Sequence, residues 1–170
     1  MDSNTHSIRP ERSEPPKPPE RSDDLLLALP EDLAELTAAL DKVGALNLDR
    51  LPATVRVQRA LALQQLASRL DGQWLKGLAG VDALGAAGAD KGVQAPSTAG
   101  WLRRRLRMGA GAAREAVHTA RALFRGPLTG TAQALTSGQI SPAHARVLAQ
   151  GTRALPLQVA ADAEPALLEG

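Results

Sequence analysis

Few side chains in this chain can do covalent or metal chemistry. It has three histidines, His6, His118 and His144, and no cysteine. Thiol nucleophiles, disulfides and thiolate zinc sites are therefore excluded. The histidines stand far apart in sequence, with no HxxxH or HExxH spacing to put two ligands on one helix face. There is no Gly-rich phosphate loop after a strand and no GxSxG turn. The carboxylates cluster in the acidic first module, away from the helical segments that carry His118 and His144. No catalytic residue, no metal ligand and no cofactor is assigned to these residues.

His144 invites the closest reading. It lies in SGQISPAHARVLA (137–149), where Gly138 can end one helix and Ser141-Pro142 can open the next as N-cap and first helical residue. Ile140, just before the cap, can anchor the turn on the core. His144 precedes Val147 and Leu148 by three and four residues, which predicts an inward, half-buried histidine bonded to a neighbouring backbone group. Arg146, Gln150 and Arg153 then fall on the outward side, and Arg146 is the better functional candidate.

Arginine is the residue type with a pattern. The segment AGAAREAVHTARALFR (110–125) puts Ala113, Val117, Ala120 and Phe124 on one helix face and Arg114, His118, Arg121 and Arg125 on another. Before it, STAGWLRRRLR (97–107) places Leu102 and Leu106 inward, ringed by Arg103, Arg104, Arg105 and Arg107. Two short helices joined by MGAG predict a helix-turn-helix-like unit, with Ala112, Ala113 and Ala116 allowing close crossing. Guanidinium forks suit phosphate oxygens and can also read guanine in the major groove. The competing reading is a solvated face whose arginines pair with acids elsewhere. Scarce aromatics, 2% of the chain, argue against a single-strand stacking platform.

The elements that must position these groups are helices. Apolar residues make up 44% of the 170 residues, and Ala and Leu dominate them. Such a core packs helices and lacks the β-branched and aromatic residues that fill sheets. The fold class is all-α: a long helical pair followed by a bundle of short helices. Residues 1–22 read as a disordered, Pro-rich tail, with a Pro-rich docking peptide as the alternative. Residues 23–84 read as a long helical hairpin or arm. One helix starts at Pro30-Glu31-Asp32 and carries Leu33, Leu36, Leu40 and Val43. The other runs over 53–84 with Leu63, Leu66, Leu70, Trp74, Leu78 and Val81 on one stripe. Gly72, Gly77 and Gly80 permit a bend or close helix contact. Residues 85–96 read as a flexible loop and module boundary. A basic short-helix module follows over 97–170, with helices at 97–107, 110–125, 128–137, 141–151 and 156–168, the last frayed or kinked at Pro165.

Charge divides in the same place. Residues 1–95 hold 11 Lys/Arg against 14 Asp/Glu, whereas residues 96–153 hold nine Arg and one acid, Glu115. Such an excess of cations points to a polyanionic partner. No run of about 18 apolar residues exists to span a membrane, and the polar N-terminus has no secretory h-region, so the expected location is cytoplasmic.

Several of these motifs together resemble the 13E12-repeat family, also called domain of unknown function 222 (DUF222). They are S-T-x-x-W-L at 97–102, A-R-E-A at 113–116, A-R-A-L at 120–123 and G-x-I-S-x-x-H-A-R at 138–146. The last is also similar to a segment beside the helix-turn-helix of ParB-type partition proteins. The resemblance implies the N-terminal region of an HNH-endonuclease-type protein. The HNH residues themselves are not in this sequence, so the chain is expected to be a truncated or partial copy whose longer relatives carry the nuclease. The expected function is non-catalytic association with duplex DNA through Arg103, Arg104, Arg105, Arg107, Arg114, His118, Arg121, Arg125 and Arg146. The alternative is a protein-interaction or homo-oligomerisation module acting through helices 31–84 without DNA.

Overall fold

A computed structural model of the chain describes residues 31–169. The expected tail at 1–22 and the start of the helical arm at 23–30 lie outside the described residues. Among the described residues there are seven α-helices and no strands: α1 (Glu31–Gly44), α2 (Ala53–Ala83), α3 (Thr98–Arg105), α4 (Ala110–Phe124), α5 (Thr129–Ser137), α6 (Pro142–Gly151) and α7 (Leu157–Glu169). None of these helices is long and apolar enough to cross a membrane.

Local signals set most of the boundaries. Ser97 Oγ accepts from Gly100 N at 3.1 Å and caps α3. Ser141 Oγ accepts from His144 N at 3.1 Å, with Pro142 as the first residue of α6. Gly138 closes α5 in the left-handed region at φ +80°, where its N–H and that of Gln139 reach the last carbonyls of the helix. A Cβ at Gly138 would also stand 2.9 Å from the Gln65 carbonyl oxygen of α2. One boundary differs from expectation. Helix α3 stops at Arg105, two residues early, so Leu106 is exposed rather than inward. Pro165 lies inside α7, which runs to Glu169, one residue beyond the expected end.

The chain divides into two compact units between Arg50 and Leu51. In the first, α1 ends at Gly44 and a 3-10 turn follows at Leu48–Arg50. Leu33, Leu36 and Leu40 of α1 are exposed. The second unit joins α2 to all the helices after the 85–96 loop, because α2 packs directly on α4 and α5. Its core gathers Leu75, Leu78, Leu102, Val117, Leu123, Leu128, Leu135 and Leu148 around the alanines of α4 and α6, with Ile140 against it as the turn required.

Helix α2 corrects the sequence reading of its own face. Of the expected stripe only Leu78 is buried; Leu66, Leu70 and Trp74 are exposed. The buried positions are Ser68, Gly72, Leu75, Leu78 and Ala79, a face turned by roughly 120° from the leucine stripe and sharing only Leu78 with it. The reason is a close crossing. A Cβ on Gly72 would lie 2.9 Å from Thr136 Cγ2 and 3.1 Å from its Cα, so α5 approaches α2 where a side chain is missing. Gly77 and Gly80 face open space and do no such work.

The 85–96 connection is tied down at Asp90. Its carboxylate accepts from Trp101 Nε1 at 2.8 Å and from Gly92 N at 2.9 Å, and pairs with Arg105 Nε at 3.0 Å. Led by the Trp101 bond, these contacts hold the Asp90 carboxyl below the ordinary carboxylate range. Helix α7 is fastened by a buried carboxylate: Glu164 accepts from Gly130 N at 3.0 Å and Thr131 N at 2.6 Å. These are first-turn donors of α5, whose own N-cap residue, Leu128, supplies no side-chain acceptor.

Candidate functional site

Helix α4 is the hub of the second unit. It packs against α2, α3, α5 and α6. Ala113, Val117, Ala120 and Leu123 are buried and Phe124 half-buried, which leaves one narrow face open. On that face Arg114, Arg121 and Arg125 are exposed, and His118 is half-buried between them. At ~1.5 Å rise per residue, Arg114 to Arg125 spans about 16 Å. The turn joining α3 to α4 carries Arg107 at φ +53°, an uncommon conformation for a residue with a Cβ.

Connected recesses extend this row at both ends. Arg103, Arg104 and Arg114 line one of about 460 Å³ with Ser97 and Met108. Arg114, His118 and Arg121 line a second, where Arg153 joins them. His118, Arg121, Arg125 and Arg153 surround a third, of about 540 Å³, floored by alanines of α4, α6 and α7. The result is a basic track running from α3 along α4 to the end of α6. Arg153 completes it and was not among the sequence candidates. Its outward position just after α6 was legible, but the packing of α6 on α4 was not.

Acids temper the track at Asp82 and at Glu115, which shares a recess with Arg114, His118 and Arg153. Arg121 donates to Asp82 of α2 twice, Nε to Oδ2 at 2.5 Å and Nη2 to Oδ1 at 2.9 Å. This two-pronged bond holds the Asp82 carboxyl below the ordinary range against the opposing effect of partial burial, with the Thr98 hydroxyl adding to it. The Arg121 side chain remains 62% exposed. Two other candidates are also paired: Arg105 with Asp90, and Arg146 with Glu115 at 3.9 Å. Glu115 also accepts from Gln150 Nε2. The nine sequence candidates thus separate. Arg103, Arg104, Arg114, His118, Arg121 and Arg125 share the track, whereas Arg105, Arg107 and Arg146 do not line it. Among the described residues, Arg103, Arg104, Arg114, Arg125 and Arg153 make no ion pair; Arg104 donates to the Gln94 carbonyl.

Of the two helical histidines, His118 makes the backbone contact that was expected of His144. His118, expected on an outward stripe, has Nε2 3.0 Å from the Ala149 carbonyl oxygen and so links α4 to α6. His144 is half-buried but sits beside an exposed Val147, and its main-chain N–H is what Ser141 captures. A strict three- and four-residue spacing placed Val147 inward, whereas Ala145, Leu148 and Ala149 face the core instead. Among the described residues no three His, Asp or Glu side chains come together as a metal centre would need.

The profile of a family described as Domain of unknown function (DUF222) matches residues 62–168, more than half of the chain. No curated protein and no solved structure is significantly similar to it.

Proposed function

We propose that this chain, which belongs to the DUF222 family, binds duplex DNA by its phosphates along the basic track and takes no part in bond cleavage itself. The observation that carries the reading is the run of five guanidiniums, from Arg103, Arg104, Arg114, Arg125 and Arg153, that have no acid partner among the described residues. Arg114 and Arg125 stand at the two ends of the ~16 Å row on α4, and Arg103, Arg104 and Arg153 extend it through the adjoining recesses. Helix α4 has neighbours on several sides, so the reading is one of backbone contact rather than of a recognition helix entering the major groove. In the HNH-associated arrangement that the resemblance implies, such a helical module holds DNA while a separate module cuts it.

The test is a salt titration of duplex binding. With at most five phosphates neutralised, log Kd against log salt should have a slope of no more than about 4.5. Binding that is absent at ~50 mM salt, or that ignores salt, refutes the proposal.

A second reading, self-association through α2, is favoured by one observation: Leu66, Leu70 and Trp74 are exposed at 53%, 44% and 39%. Light scattering separates the two, since a dimer indifferent to DNA, disrupted by Leu66→Ser with Leu70→Ser, supports only the second.

A further inference from the structure

The third recess has a chemistry that a nucleic-acid backbone does not use. Its walls are largely apolar: Ala83, Ala122, Pro127, Ala149 and Ala160, with Leu155 and Leu157 at the mouth. The two leucines are 41% and 73% exposed. Around this concavity stand Arg121, Arg125, Arg153 and His118, against the single acid Asp82. Asp82 is consumed by Arg121, and His118 Nε2 is engaged by the Ala149 carbonyl. The charge left over is that of Arg125 and Arg153, which make no ion pair among the described residues. Both are exposed at the rim.

The hollow follows from the sequence. Helices α4, α6 and α7 each place alanine here. Ala149 is fully buried and Ala160 is 1% exposed, so the helices pack closely beneath, and the apolar surface left open is that of Ala83, Ala122, Pro127 and the two leucines. The volume of about 540 Å³ falls within the range of about 300–1,000 Å³ typical of small-molecule sites, which are mostly apolar with a few charged groups that fix orientation. Duplex DNA presents phosphates to the rim but no apolar group to fill the floor.

We propose that this recess binds a small amphiphilic anion, a carboxylate or phosphate monoester on an apolar body. The headgroup is held between Arg125 and Arg153, and the apolar body covers Leu155, Leu157 and the alanine floor. This inference stands independently of DNA binding, and its test contains no DNA, so either reading can fail alone.

The experiment is a titration of the ¹⁵N-labelled protein below micelle-forming concentrations, followed by amide shifts. The ligands are decyl phosphate, decanoate, decyltrimethylammonium and inorganic phosphate. Both amphiphilic anions should give saturable shifts at Ala122, Gly126, Thr152 and Leu157, and the cation and inorganic phosphate should not. Replacing decyl by octyl phosphate should weaken binding by up to about fifteenfold, about fourfold for each methylene withdrawn from a buried site. The double variant R125A/R153A loses only exposed side chains. It should keep a dispersed spectrum and bind both anions at least about tenfold more weakly, since each guanidinium supplies a charge-assisted bond. The proposal is overturned by equal shifts with the cation, by equal shifts with inorganic phosphate, or by a double variant that binds as wild type. Response only to vesicles of anionic phospholipid, with none to the monomeric amphiphiles, would assign the patch to a membrane surface and also overturn it.

Discussion

Asp82→Asn should tighten DNA binding while loosening the fold, a combination that only a competing carboxylate produces. In the native chain Asp82 grips Arg121 through two bonds of 2.5 and 2.9 Å. The change keeps the shape and removes the charge, so the Arg121 guanidinium becomes a sixth cation free for phosphate on the track. One more neutralised phosphate steepens the salt slope by about 0.9. Between 200 and 50 mM salt, a fourfold dilution, the advantage of the variant over wild type should then grow by about 3.5-fold. The stability cost is small, about 0.2–1 kcal/mol, because the Arg121 side chain is 62% exposed and solvent screens the pair. Fluorescence anisotropy with a labelled duplex, alongside thermal melts by circular dichroism, measures both. Arg114→Ala should flatten the slope by about 0.9, whereas Arg121→Ala in the native background should change it less. The double variant D82N/R121A should match R121A. A folded D82N protein whose slope equals that of wild type would remove Arg121 from the DNA-facing surface and the reasoning with it.

Other outcomes bear on the fold. Glu164→Ala leaves one buried and one part-buried first-turn donor of α5 without an acceptor and should cost about 2–4 kcal/mol in a urea melt, with Glu164→Gln costing less because one oxygen acceptor survives. Gly72→Ala forces a methyl to within 2.9 Å of Thr136 Cγ2 and should cost about 1–3 kcal/mol, although alanine is the better helix former. Burial raises the Asp71 carboxyl above its ordinary value of 3.8. The folded state therefore keeps that proton to higher pH than the unfolded chain does, and stability falls as pH rises through the window above 3.8. Asp71→Asn should accordingly melt higher than wild type at pH 7, with the gap closing below about pH 3, where both states of the native carboxyl are protonated.

What could be read from the sequence was what local chemistry dictates. Ser97, Gly138 and Ser141-Pro142 each fix a helix end through bonds made within a few residues, so α3 to α7 fall within two residues of their expected limits. The apolar face of α4 was legible for the same reason, since Ala113, Val117 and Ala120 repeat at helical spacing. The face that α2 buries was not. Large leucines outweigh Ser68, Gly72 and Ala79 on any hydrophobic pattern, yet the small residues are what α5 approaches. The expected boundary at 85–96 followed the change of charge, whereas packing joins α2 to the helices beyond it. The basic stripe was visible, but the Asp82 pair 39 residues away was not, nor was the carbonyl that engages His118 from 31 residues away.

The clasp between α7 and α5 also sets an order of events during synthesis. The acceptor for Thr131 N lies 33 residues downstream. At about 5–20 residues per second, the ribosome delivers Glu164 some 2–7 s after Thr131. A helix can form within about a microsecond of emerging, so α5 waits with its first turn open for a time vastly longer than its own folding. The fifth helix to be made is thus sealed only when most of the seventh has appeared.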